Sequence, residues 1–100
     1  MLTYEAILKE MEEKKEIIKQ YGVKRIGLFG SYVKSEQQYE SDIDVLVEFE
    51  KGRKTFDNYM DLKFFLEELF NCKVDLVISE AVKPELRSYI TGSVKYAAGL

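Results

Sequence analysis

One segment of this chain alternates between apolar and polar residues, and this pattern constrains the fold more than any other. The segment Asp42 to Phe49 reads DIDVLVEF. Side chains of a β-strand point alternately to the two faces of a sheet. The pattern therefore predicts a strand with Ile43, Val45 and Val47 on a buried face. Asp42 and Asp44 lie together on the opposite face, near the start of the strand.

A second predicted strand comes before this one and ends in a small turn. Val23 to Phe29 is rich in apolar residues and is followed directly by Gly30 and Ser31. If the Gly-Ser pair and the two acids form one site, the two strands must be antiparallel. The eleven-residue connector, Ser31 to Ser41, is compatible with this, because a parallel return usually needs a dozen residues or more.

A third acid follows in a predicted strand from Lys73 to Ile78. Asp75 lies near its start, and the amphipathic segment Phe56 to Phe70 predicts the helix that a parallel crossover from the second strand requires. Same-face residues of one strand lie about 6.6–6.8 Å apart, and neighbouring strands about 4.8 Å apart. Asp42, Asp44 and Asp75 are therefore expected to converge.

The remaining segments predict helices around a small mixed sheet. Thr3 to Tyr21 predicts a first helix with Thr3 as its N-cap, Gly22 as its stop, and an inner stripe that includes Ile17 and Ile18. A single helical turn is expected at Ser31 to Lys34, and Pro84 to Ala97 predicts a last helix. We expect one α/β (α+β) domain, residues 1–100, with a three-stranded sheet and the order α-β-(short α)-β-α-β-α.

Three carboxylates this close repel one another, so either one has a raised pKa or a divalent cation neutralises the cluster. Their oxygen ligands suit Mg²⁺, with Mn²⁺ as the alternative, and shared acids can bridge two such ions. Gly30 would let the backbone approach phosphates, and the amide and hydroxyl of Ser31 could donate to them. The simpler interpretation is a set of exposed acids on a half-solvated sheet, which is common for an isolated D-x-D pair.

Composition excludes several other classes of site. A net charge of −3 argues against electrostatic capture of nucleic acid. Cys72 is the only cysteine and the chain has no histidine, so neither a disulfide framework nor a histidine-activated thiol is expected. No run approaches the ~18 apolar residues of a membrane span, and the expected location is the cytoplasm.

With these residues in place, LFGSYVKSEQQYESDIDVLVEF resembles the signature of the DNA polymerase β superfamily, in its minimal nucleotidyltransferase branch. The resemblance continues through KVDLV and KPELRSYI and covers nearly the whole chain. It implies a nucleotidyltransferase fold, with Asp42, Asp44 and Asp75 as catalytic, metal-binding acids. The implied nucleotide-binding residues are Gly30, Ser31, Lys34 and Ser41.

The resemblance also implies an activity and a partner. By this resemblance the chain is expected to transfer AMP from ATP, with two Mg²⁺ ions, to a tyrosine of an all-helical HEPN toxin, and to act as its antitoxin. Two other functions stay open: a non-catalytic module that binds nucleotide or metal and silences its partner by contact, and a transferase acting on a small molecule. The sequence fixes neither the acceptor nor whether the chain forms homo-oligomers.

Overall fold

The structure, a computed structural model, describes residues 3–29, 43–82 and 94–99. Its elements in chain order are α1 (Tyr4–Glu13), α2 (Lys15–Gln20), β1 (Val23–Phe29), β2 (Ile43–Phe49), α3 (Phe56–Phe70), β3 (Val74–Ile78), a 3-10 turn (Ser79–Ala81) and β4 (Lys95–Tyr96). The predicted helical turn at Ser31 to Lys34 lies outside the described residues.

The strands form one mixed sheet in the order β3-β2-β1-β4. β1 and β2 are antiparallel, β2 and β3 are parallel, and α3 is the crossover between the parallel pair. These directions confirm the mixed sheet that the sequence predicted. They also place the C-terminal end of β1 and the N-terminal ends of β2 and β3 at one edge of the sheet.

Within the described residues the sheet has four strands, so the prediction of three strands was wrong. β4 lies within the segment predicted as the last helix, Pro84 to Ala97, whose residues 84–93 fall outside the described ranges. β4 pairs antiparallel with β1, and the Ala97 amide donates to the carbonyl of Ile26 at 2.9 Å. This pairing joins distant parts of the chain, and tertiary contacts of that kind override local helical spacing.

Gly27 is the residue that lets β4 come this close to β1. A Cβ atom at this position would lie 2.8 Å from the Lys95 carbonyl oxygen and 2.8 Å from a methyl group of Val94. Both distances are shorter than non-bonded carbon contacts allow. A side chain at position 27 would therefore push the β4 segment away from the sheet.

The first helical segment is divided, whereas the sequence predicted one helix from Thr3 to Tyr21. Lys14, with φ −100° and ψ 16°, separates α1 from α2. The predicted ends are confirmed: the Thr3 hydroxyl accepts from the Ala6 amide at 3.2 Å, and Gly22 has φ +86°. Ile18 is fully buried but Ile17 is 39 % exposed, because consecutive helical residues lie about 100° apart around the axis.

The three α-helices of the described residues pack on one face of the sheet. The core combines residues of the helices and of the sheet's inner face: Ile7, Met11, Ile18, Leu62, Leu66 and Phe70 from the helices, and Val23, Ile26, Leu28, Ile43, Val45, Val47, Phe49, Val74, Leu76 and Ala97 from the sheet. α3 has the predicted bounds and ends at Asn71, which is left-handed with φ 52°. The sheet's other face, which carries Asp44 and the buried Leu46, is called the Asp44 face below.

No helix among the described residues is long and apolar enough to cross a bilayer.

Candidate active site

Two of the three predicted acids lie opposite each other in the sheet. Asp44 is the second residue of β2 and Asp75 the second residue of β3, and they are register partners in the parallel ladder. Their neighbours on either side, such as Ile43 and Val74, are buried on the helical face, so both acids lie on the Asp44 face. Asp44 is half-buried and Asp75 is exposed. The sequence predicted this convergence.

The end of β1 lies at the same place. Phe29, its last residue, pairs with Asp44, so β2 carries its acid between β1 on one side and β3 on the other. Gly30 follows Phe29 directly in the sequence. Gly30, Ser31, Lys34, Ser41 and Asp42 themselves lie outside the described residues, and their roles remain predictions.

The donor set fits a hard divalent cation. Asp44 and Asp75 present carboxylate oxygens from strands that are neighbours in the sheet, and Mg²⁺ is usually bound through one or two carboxylates together with substrate phosphates. Within residues 3–29, 43–82 and 94–99, no group of three metal-ligating side chains is present. The third predicted ligand, Asp42, is not among these residues.

A backbone hydrogen bond from β2 and a side-chain hydrogen bond from α3 hold the start of β3 beside the paired acids. The Ile43 amide donates to the Lys73 carbonyl at 3.0 Å, which closes the ladder just before the two acids. The Val74 amide donates to Glu67 Oε2, also at 3.0 Å. Sequence analysis did not single out Glu67, because its partner is a backbone group whose position depends on how α3 packs.

The Tyr59 hydroxyl makes a second bond from α3 to β3. It donates to the Leu76 carbonyl at 2.6 Å. The sequence placed Tyr59 on the apolar stripe of α3, and its ring does pack against the core. Apolar spacing identifies such a ring but not the partner of its hydroxyl group.

The other end of β2 carries an acid in a different setting. Glu48 Oε1 lies 3.7 Å from Arg25 Nε and 3.9 Å from Lys24 Nζ. The Arg25 guanidinium in turn lies 4.4 Å from the centre of the Tyr96 ring. Glu48 therefore belongs to a group of ion pairs and ring contacts across β1, β2 and β4.

A cavity of about 290 Å³ lies near the start of α3 and the end of β3. It is lined by Lys54, Thr55, Phe56, Tyr59, Ile78 and Ala81. Ile78 is three residues further along β3 than Asp75, about 10 Å at the rise of a strand. Its described lining residues are mostly apolar and include neither Asp44 nor Asp75, so this cavity is separate from the paired carboxylates.

Comparison with known proteins identifies a protein family that this chain resembles. The family model described as a nucleotidyltransferase domain matches residues 6–97. A protein adenylyltransferase, MntA of Thermococcus cleftensis, is 37 % identical over 97 residues, which cover 96 % of this chain and 97 % of the relative.

Two solved structures extend the comparison to the fold. One, described as a minimal nucleotidyltransferase, has a TM-score of 0.81 and 31 % identity, and covers 94 % of this chain and 95 % of its own. The other, a crystal structure of a toxin–antitoxin with AMP-PNP, has a TM-score of 0.69 and 25 % identity. That match covers 89 % of this chain and 73 % of the other.

Proposed function

This chain belongs to the nucleotidyltransferase domain family, and from that premise we propose that it transfers AMP from ATP to a hydroxyl group of a partner protein. The observation that carries the proposal is the direct pairing of Asp44 with Asp75 on the Asp44 face. Like charges directly opposite each other destabilise a sheet. A role in binding cations and phosphates would account for two acids placed opposite each other in the sheet.

We assign the roles of the acids as follows. Asp42, Asp44 and Asp75 would hold divalent cations, Mg²⁺ or Mn²⁺, through their carboxylate oxygens. Asp75 also orients the attacking hydroxyl group and can accept its proton. Cations bound here would neutralise phosphate charge and align the attacking and leaving oxygens.

Gly30, Ser31, Lys34 and Ser41 are assigned to the nucleotide. Gly30 allows close approach of the backbone, and the Ser31 amide and hydroxyl donate to phosphate oxygens. The hydroxyl oxygen of the acceptor forms a new bond to the α-phosphorus of ATP. The bond from that phosphorus to the β-phosphate oxygen breaks, and pyrophosphate leaves.

We further propose that the acceptor is a tyrosine of a HEPN toxin and that the chain is its antitoxin. Two findings support a protein acceptor and a toxin as the partner. The Thermococcus cleftensis relative is a protein adenylyltransferase, which indicates a protein acceptor. The toxin–antitoxin structure contains a chain with the same fold and was obtained with the ATP analogue AMP-PNP.

The test combines the purified chain with Mg²⁺, labelled ATP and a HEPN protein as the candidate acceptor. We expect label on the partner and, by mass spectrometry, an AMP adduct on a tyrosine. Asp44→Asn is the inactive control, and Glu48→Gln is the control for a lost charge on the same strand face. If the partner is silenced without an adduct, the chain acts by contact alone. An adduct only on small molecules would overturn the protein acceptor.

A further inference from the structure

β3 is an edge strand of the described sheet, and its outward backbone groups can be identified from the ladder. The Lys73 carbonyl accepts from β2, so the backbone groups of Lys73 and Asp75 face β2. Those of Val74 and Leu76 alternate with them and point to the outer edge. An edge strand leaves such groups without ladder partners.

Side chains of α3 bind an outward group on each side of Asp75. Glu67 accepts from the Val74 amide, and Tyr59 donates to the Leu76 carbonyl. Both bonds are partly buried. Residues eight apart on a helix lie about 80° apart around its axis, so one side of α3 supplies both contacts. Together they hold the edge strand one residue before and one residue after Asp75.

We propose that Tyr59 and Glu67 are positioning residues for Asp75. This inference rests on the proposed function. The direction of the Asp75 side chain is set by the two peptide groups that flank its Cα atom. The β2 ladder holds these groups from one side, and the two α3 bonds hold the neighbouring residues from the other. The resulting geometry fixes the separation of Asp75 from Asp44, on which a shared cation depends.

A purely structural role would give the same two bonds, so the test must separate position from stability. The variants are Tyr59→Phe, which removes one donor, and Glu67→Met, which removes one acceptor at similar volume. Glu67→Gln is the matched control, because its amide oxygen can still accept from the Val74 amide. Phe65→Leu supplies destabilisation elsewhere on α3, since the Phe65 ring contacts the Tyr21 ring at 5.8 Å between centres.

The primary readout is Mn²⁺ affinity in the presence of a non-hydrolysable ATP analogue, measured by electron paramagnetic resonance. Outer-shell partners of metal ligands typically contribute about 10–100-fold to affinity or activity. We expect Tyr59→Phe and Glu67→Met to weaken Mn²⁺ binding by about tenfold. Glu67→Gln and Phe65→Leu should bind Mn²⁺ like the parent. In transfer assays, Tyr59→Phe and Glu67→Met should lower kcat and leave the KM for ATP little changed.

The outcomes distinguish this inference from the proposed function. If the parent binds Mn²⁺ and all four variants bind it equally well, the positioning role is overturned and the proposed function is not. If Phe65→Leu weakens binding as much as Tyr59→Phe, the effect is one of stability and the positioning role is again overturned. If the variants weaken binding as expected but no acceptor is modified, positioning is supported and the proposed transfer fails.

Discussion

The two ends of β2 present the same kind of charge on the same face in opposite surroundings. Glu48 pairs in register with Arg25 and lies near Lys24, so its charge is balanced across the strands. Asp44 has Phe29 on one side and another acid, Asp75, on the other. Opposite charges across a ladder stabilise a sheet and like charges destabilise it. The register pair of Glu48 with Arg25 follows this rule, whereas the register pair of Asp44 with Asp75 does not, which is expected of a binding site.

The largest expected effect on activity comes from neutralising Asp44, the β2 acid that pairs in register with Asp75. Asp44→Asn keeps the shape of the side chain but removes a proposed cation ligand. Metal-dependent transfer should fall by about three orders of magnitude or more, because a bound cation supplies several kcal/mol of transition-state stabilisation. Radiolabel transfer measures the loss, and urea unfolding of the metal-free protein should show no loss of stability. An unfolded variant would make Asp44 structural, and a fully active one would exclude the proposed cation site.

The second largest effect is expected on thermal stability when Mg²⁺ and ATP are bound. Mg²⁺ with ATP should raise the melting temperature, because a ligand that binds only the folded state stabilises it by about 2.7 kcal/mol at one hundred times its Kd. The rise should be lost in Asp44→Asn and kept in Glu48→Gln. An equal rise in both variants would show that nucleotide binds away from the paired acids.

A third variant gives both ends of β2 a register pair of opposite charges. Asp75→Lys places a cation opposite Asp44, as Arg25 lies opposite Glu48. The free energy of unfolding of the metal-free protein should rise by about 0.2–1 kcal/mol, while Mn²⁺ binding is lost. Asp75→Asn is the matched control for removal of the acid alone. A metal-free Asp75→Lys protein less stable than Asp75→Asn would contradict the like-charge interpretation.

The smallest effect is expected at the ion-paired end. Glu48→Gln removes two exposed pairs of 3.7 and 3.9 Å, and such pairs contribute about 0–1 kcal/mol each. The change in free energy of unfolding should shrink further at high salt, and transfer should stay near the parental rate. Thermal unfolding at low and high ionic strength tests this. A salt-independent loss of more than ~1 kcal/mol would mean that Glu48 contributes through packing.

Local pattern and the chemistry of the acids were sufficient to predict much of the fold. The bounds of β1 and α3 follow from apolar spacing and from turn residues such as Asn71. The strand directions followed from requiring the pair Gly30 and Ser31 to meet the acids of the second and third strands at one edge. What could not be predicted depends on distant contacts, as when pairing with β1 makes Lys95–Tyr96 a strand instead of the end of a helix.

Some features of the candidate site could also be predicted from the sequence, and others could not. The pairing of Asp44 with Asp75 was predictable because alternation and crossover length determine the faces and directions of strands. The contacts of Glu67 and Tyr59 were not, since they join side chains to backbone groups whose orientation only the assembled sheet defines. The roles of Gly30, Ser31, Lys34, Ser41 and Asp42 still stand as predictions.

The short strand β4 has a consequence for the order in which the molecule forms. The Ala98 amide donates to Glu12 Oε2 across 86 residues of sequence, whereas Asp44 and Asp75 are 31 residues apart. Each doubling of a closed loop costs about 0.6 kcal/mol more in chain entropy, and β4 has only two residues with which to offset it. We therefore expect β4 to dock last in folding and to detach first, so that amide hydrogen exchange is faster at Ala97 than within β2. Such opening at the β4 edge would leave the ladder that joins Asp44 to Asp75 intact.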